Sequence, residues 1–180
     1  MSKAWTLDGS SGELLILTGV AGPAAKTGHR LTIAMRSWQA TVDWHGKDPA
    51  GVELSVAVDS LEVIKGEGGL TPLGGPEKGI ARSNALKSLD VKKFPQIRFT
   101  ATAIDKTTDG YRLNGTVEIH GKSRPQSVDL TVQDRGKDWA MSAQISITQT
   151  DFGVKPYSLL MGAVKVADPV TISFTASHPK

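Results

Sequence analysis

Residue types suited to proton transfer or metal binding are sparse in this chain, and their spacing does not favour either chemistry. The four histidines, His29, His45, His120 and His178, include no i, i+4 pair of the kind that holds zinc on a helix. His29, beside Arg30, opens a predicted strand, where a structurally hydrogen-bonded imidazole is the simplest role. With zero cysteines there is no thiol nucleophile, thiolate metal site or disulfide frame. Gly9-Ser10-Ser11-Gly12 has the wrong length for a Gly-x-Ser-x-Gly nucleophile elbow, and Gly66-Glu67-Gly68-Gly69 lacks the lysine of a phosphate loop. Asn114-Gly115-Thr116 fits a glycosylation sequon but falls inside a predicted strand. No catalytic residue, metal ligand or cofactor is therefore expected. The enzymatic alternative is proton transfer on a hydrophobic substrate, of the isomerase or cyclase type, and would draw on His29, His120 or Asp151.

The remaining polar groups are candidates for a rim. His120, Lys122 and Arg124 fall at a strand end beside a turn, and Lys155 and Tyr157 follow Asp151-Phe152-Gly153. These five are the candidate contacts for a ligand's polar head. Asp151 is expected to accept backbone N–H bonds where a strand ends, with Gly153 allowing the tight bend. Arg98 and Arg112 alternate with Phe99 and Leu113 and should point to solvent.

The elements that position these groups are strands. Period-two alternation places Val52, Leu54, Val56 and Val58 on one face, and likewise Ile97, Phe99, Ala101 and Ala103. The same pattern recurs in Leu113, Val117 and Ile119, in Val128, Leu130 and Val132, in Met141, Ala143, Ile145 and Ile147, and in Val170, Ile172, Phe174 and Ala176. Turn residues separate the runs: Asp109-Gly110 has the composition of a tight primed turn, and Gly46 to Gly51, Gly121 to Pro125 and Gly136 mark others. Hairpin connections imply antiparallel neighbours, and the absence of strand and helix alternation argues against a doubly wound nucleotide fold. One stretch differs. Gly75, Pro76 and Glu77 read as a helix start, and Ile80, Ala81, Ala85 and Leu89 recur at near-helical spacing. A short helix over 76–89 is expected to cap one end, as part of the core or as a lid.

A curled sheet with an apolar lining is a container. Small inward residues, Ala101, Ala103, Gly115, Ala143 and Ala176, either leave a channel or admit bulky side chains from the opposite wall. At 180 residues, 39% hydrophobic and 22% charged, the chain fits one globular domain over 1–180. The net charge of +3 is spread among interleaved acids and bases, and only 6% of residues are aromatic, so a nucleic-acid surface is not expected. No run approaches the ~18 apolar residues of a membrane-spanning helix. The first residues, Met1 to Asp8, lack the apolar core of a signal peptide, which gives a cytoplasmic expectation unless a leader was removed.

Taken in order, Gly28-His29, Trp38, Val58-Asp59-Ser60-Leu61-Glu62-Val63, Leu89-Asp90-Val91, Phe94-Pro95-Gln96-Ile97-Arg98-Phe99, Leu113 through Pro125, Asp151-Phe152-Gly153 and Val166-Ala167-Asp168-Pro169-Val170 resemble the YceI-like family. The resemblance covers most of the chain. It implies an all-β, extended eight-stranded antiparallel lipocalin-like barrel that holds a long isoprenoid tail, with no catalytic residues common to the family. The chain departs from many relatives at Gln149, where they carry an arginine two positions before Asp151. The expected ligand is a long-chain isoprenoid of the polyprenyl phosphate or isoprenoid quinone type, held for carriage, storage or sequestration. Its expected apolar wall is Ile97, Phe99, Val117, Ile119, Ile145, Ile172 and Phe174. A filled barrel acting as a stress or interaction protein is the third reading, and dimerisation through a sheet edge is compatible with all three.

Overall fold

The computed structural model describes residues 4–180. Its elements in chain order are β1 (Trp5–Asp8), β2 (Gly12–Leu17), β3 (Val20–Ala21), β4 (His29–Met35), β5 (Trp38–His45), β6 (Asp48–Ala57), β7 (Leu61–Gly68) and helix α1 (Gly75–Ser88). They continue with β8 (Gln96–Lys106), β9 (Gly110–Ile119), β10 (Lys122–Asp134), β11 (Asp138–Thr148), β12 (Ser158–Leu159), β13 (Val164–Val166) and β14 (Pro169–Pro179).

Eleven strands form one strongly curled antiparallel sheet in the order β1-β5-β6-β8-β9-β10-β11-β14-β2-β4-β7, and β12, β13 and β3 form a small second sheet. Three pairs in the large sheet are single long strands broken by a bend. β1 and β2 pair in turn with β5 and β4, and β5 and β4 pair in turn with β6 and β7. Counting each broken pair once reduces the eleven to the eight of a lipocalin-like meander. The last long strand, β14, pairs with β2 and returns the ladder to its start. The bends have local causes. At the first, the Ser10 N–H (2.8 Å) and hydroxyl (2.5 Å) donate to the Asp8 carboxylate. At the third, a 3-10 turn over Val58–Ser60 is tied by the Ser60 hydroxyl donating to the Ala57 carbonyl at 2.6 Å.

Bending leaves two free edges. β7 pairs only with β4, and α1 packs along it, with Arg82 donating to the carbonyls of Leu61 and Asp59, both at 2.7 Å. The helix begins one residue earlier than expected, after an N-cap at Gly74, and none of its residues is fully buried. Ala81, Ala85, Leu86 and Leu89 touch the core, whereas Ile80 is 62% exposed. Near the β1 edge, Trp5 stacks on His178 of β14 with ring centroids 3.9 Å apart and leans on Trp44 at 4.9 Å. This aromatic group sits at the end of the barrel where β5–β6, β8–β9 and β10–β11 are joined by short turns. The long connections, 18–28, 69–95 and 149–168, all lie at the opposite end. Among the described residues the core is wholly apolar, with no buried polar or charged side chain.

Three sequence expectations are corrected. A β-bulge between Ala101 and Ala103 shifts the β8 register, so Ala103 is exposed and Ile104 takes the inward place opposite Leu113. Asp109-Gly110 is not a primed turn: neither residue has positive φ, and Gly110 already belongs to β9. The two-residue turn of positive φ is His120-Gly121, at φ 55° and 73°, while Pro125 lies within β10 and Gly51 within β6. Finally, the carboxylate that holds the turn after β11 belongs to Asp168. Its oxygens accept the Thr150 N–H at 2.9 Å and hydroxyl at 2.6 Å, whereas Asp151 contributes its backbone carbonyl to Arg124 at 2.9 Å. Gly153 does supply the bend, at φ 70°.

Gly115 sits where the β8 backbone leaves no room for a side chain, since a Cβ there would lie 2.1 Å from the Thr100 carbonyl oxygen. Gly115→Val is therefore expected to cost roughly 2–3 kcal/mol, measured by urea unfolding, with Gly79→Ala, which meets no neighbour and has no positive φ, as a control that loses no stability. The Thr150 hydrogen bonds, hydroxyl first, hold the Asp168 pKa below its ordinary 3.8, with Gln149 and Lys165 adding in the same direction. A depressed folded-state pKa contributes stability that is full above the ordinary value and lost as pH falls through the lowered one. The difference in Tm between wild type and Asp168→Asn should accordingly shrink as pH drops below 3.8; a difference that grows on acidification would contradict the assignment.

Candidate ligand cavity

Side chains from the inner face of the curled sheet do not meet across the barrel. They surround a cavity of about 800 Å³ that opens at the end bearing the long connections. All seven residues expected on the wall border it: Ile97 and Phe99 from β8, Val117 and Ile119 from β9, Ile145 from β11, and Ile172 and Phe174 from β14. The opposite wall comes from β2, β4, β5 and β6, with Leu14, Ile16, Leu31, Ile33, Val42 and Leu54. Of the small residues weighed as channel formers, only Ala143 borders the cavity. Ala101 is fully buried opposite Gly115, where two backbones meet, and Ala176 lies beneath Gly12. The open space results from the girth of an eight-stranded barrel more than from small side chains.

Helix α1 supplies part of the wall through Glu77, Ala81, Asn84, Ala85 and Ser88, a stripe at helical spacing that mixes polar and apolar residues. That mixture is why the apolar residues alone gave an incomplete reading of the helix. On the other side of the opening, β3, β13 and β12 form a strap from which Tyr157, Leu159, Leu160 and Lys165 border the cavity.

The five rim candidates all lie at the open end, but only Tyr157 borders the cavity. His120 packs its ring on Phe94 at 4.8 Å, Lys122 lies against Gly153, and the Arg124 Nε donates to the Asp151 carbonyl. Lys155 stands outside the lining. Polar groups that do reach the cavity include His29, Gln149 and Lys165. The His29 Nε2 donates to the Thr71 carbonyl at 2.6 Å, which fixes the ring at the start of β4. Gln149 donates through its amide nitrogen to the Ala167 carbonyl at 3.0 Å, leaving the amide oxygen without a protein donor among the described residues. Lys165 alternates with Val164 and Val166 in a strand of three residues, too short for sequence periodicity to reveal.

His29, His120 and Asp151 do not converge: the first borders the cavity and the other two do not. Among the described residues, no set of three or more His, Asp or Glu side chains is placed to hold a metal ion. Among the same residues, no helix is long and apolar enough to cross a membrane.

Comparison with known proteins agrees with this architecture. The chain is 26% identical over 130 residues to a UPF0312 protein of Pseudomonas fluorescens, covering 67% of this chain and 62% of the relative. It is 34% identical over 77 residues to a UPF0312 protein of Pseudomonas putida, covering 37% of this chain and 38% of the relative. The matched stretches thus span less than two thirds of these relatives. Among solved structures, Burkholderia cenocepacia BcnA superposes with a TM-score of 0.71 at 20% identity, covering 96% of this chain and 99% of that one. A Campylobacter jejuni YCEI protein gives 0.59 at 15% identity, covering 82% and 84%. At such identities the likeness is one of fold. The model of the YceI-like domain matches residues 5–178, and this protein accordingly belongs to the YceI-like family.

Proposed function

We propose that the protein binds a long-chain isoprenoid lipid in the barrel cavity, for carriage, storage or sequestration, with a polyprenyl phosphate or isoprenoid quinone as the guest. The observation that carries this reading is the cavity itself, about 800 Å³ and walled almost entirely by aliphatic and aromatic side chains. Water is a poor filler where it finds few polar partners. A hydrocarbon gains ~0.8 kcal/mol per buried methylene, so about ten carbons gain ~8 kcal/mol, within the ~4–15 kcal/mol cost of association. A short terpenoid is marginal by this measure and a long chain is favoured. The polar head belongs at the opening, where the Gln149 amide oxygen, the Lys165 ammonium and the Tyr157 hydroxyl accept or donate hydrogen bonds.

Native mass spectrometry of gently purified protein should show a stoichiometric prenyl lipid. Ile145→Trp, which fills the cavity without adding charge, and Ile119→Asp, which charges its wall, should both lose that lipid while keeping a cooperative melt. Added polyprenyl lipid should raise the Tm of wild type and leave both variants unmoved. Folded variants that retain the lipid at wild-type stoichiometry would defeat the reading.

A further inference from the structure

The open end carries more exposed apolar surface than a carrier sealed in water needs. Leu159, Leu160 and Met161, three successive residues of the strap, are 53%, 71% and 106% exposed. Ile80 on α1 and Leu70 in the connection before it are 62% and 79% exposed. Leu159, Leu160 and Ile80 also border the cavity, so the apolar rim and the apolar wall are one continuous surface. The strap is braced. The Ala163 N–H donates to the Leu160 carbonyl at 3.1 Å, the Val166 N–H to the Tyr157 carbonyl at 2.8 Å, and the Ala24 N–H to the Ala163 carbonyl at 2.8 Å. Within it Leu160 and Met161 hold φ of 52° and 57°, a left-handed conformation unfavourable for such side chains. Backbone strain is thus retained in a turn whose apolar side chains face solvent.

Charge narrows what can cover this surface. The two segments joined in the strap, 18–30 and 153–167, contain Lys26, Arg30, Lys155 and Lys165 and no Asp or Glu. Arg30 acts on Glu67 and Lys165 on Asp168, whereas Lys26 and Lys155 have no salt-bridge partner among the described residues. An apolar tip flanked by lysines, two of them without an acidic partner, matches a bilayer interface, where acyl chains take the leucines and anionic headgroups take the ammonium groups. We propose that this strap, with Ile80 and Leu70, docks the open end of the barrel on an anionic lipid bilayer, so that a prenyl chain passes between bilayer and cavity without crossing water. The inference rests on the carrier reading of the same cavity.

The test is flotation with vesicles of phosphatidylcholine containing about a third phosphatidylglycerol, against phosphatidylcholine alone. Wild type should float with the anionic vesicles at low salt and less as salt rises. Leu160→Asp/Met161→Asp should float on the order of tenfold less. Asp tolerates left-handed φ, so an unchanged Tm is expected in that variant. Lys26→Glu/Lys155→Glu should float less and lose most of the salt dependence. In Leu159→Trp, brominated acyl chains should quench emission beyond the wild-type level. Absence of flotation by wild type, or equal flotation by the aspartate variant, overturns the docking. Blue-shifted Leu159→Trp emission that rises with protein concentration in the absence of vesicles would give the surface to a second copy and also overturns it. Native mass spectrometry separates the two claims: prenyl lipid retained by an aspartate variant that floats like wild type sinks docking alone, whereas lipid-free wild type sinks the carrier reading.

Discussion

Backbone hydrogen bonding round the curled sheet governs everything else in this molecule. An antiparallel sheet with an apolar face must have that face covered, and curling round on itself does so while leaving few edges unpaired. Here β14 meets β2, and the circuit contains eight long strands. The strand number sets the girth, and at this girth the side chains need not fill the centre. The cavity is therefore a consequence of how the backbone satisfies itself, with the inward Leu, Ile, Val and Phe deciding only that it is apolar.

The bends that break three strands are part of the same constraint. A long strand in a small barrel must coil sharply, and the breaks fall where a local interaction absorbs the change of direction, such as the Asp8 carboxylate holding Ser10 or the Ser60 hydroxyl closing on Ala57. Two of the bends also leave an edge unpaired, at β1 and at β7. The edge freed at β7 is taken by α1 through Arg82, which brings a helix into the cavity wall. One end is stopped by the Trp5, Trp44 and His178 rings and short turns, while the end with the long connections stays open. The asymmetry gives the cavity one open end, edged by bare apolar side chains with a few polar ones among them, and one closed end.

The wall was largely legible in the sequence because period-two alternation is a local property. Ile97, Phe99, Val117, Ile119, Ile145, Ile172 and Phe174 all border the cavity. Ala103 escaped that logic because a bulge inserts one residue, and the phase of alternation then flips. The rim was poorly legible: His120, Lys122, Arg124 and Lys155 reach the right end of the barrel but point into contacts of their own, whereas His29, Gln149 and Lys165 reach the opening. Which polar side chain borders a mouth depends on how three separate connections pack together, and no local pattern encodes that.

By itself the sequence determined an all-β chain of antiparallel hairpins with one short helix, an apolar inner face and resemblance to the YceI-like family. These follow from spacing between neighbouring residues, and each residue's own chemistry carries them. Only the tertiary structure decided that the interior is hollow, that α1 stands at the β7 edge, that Asp168 and not Asp151 clasps the turn after β11, and that Leu160 and Met161 lie bare at the opening. Those outcomes depend on distances between segments far apart in the chain, which are fixed only when the ladder has come full circle.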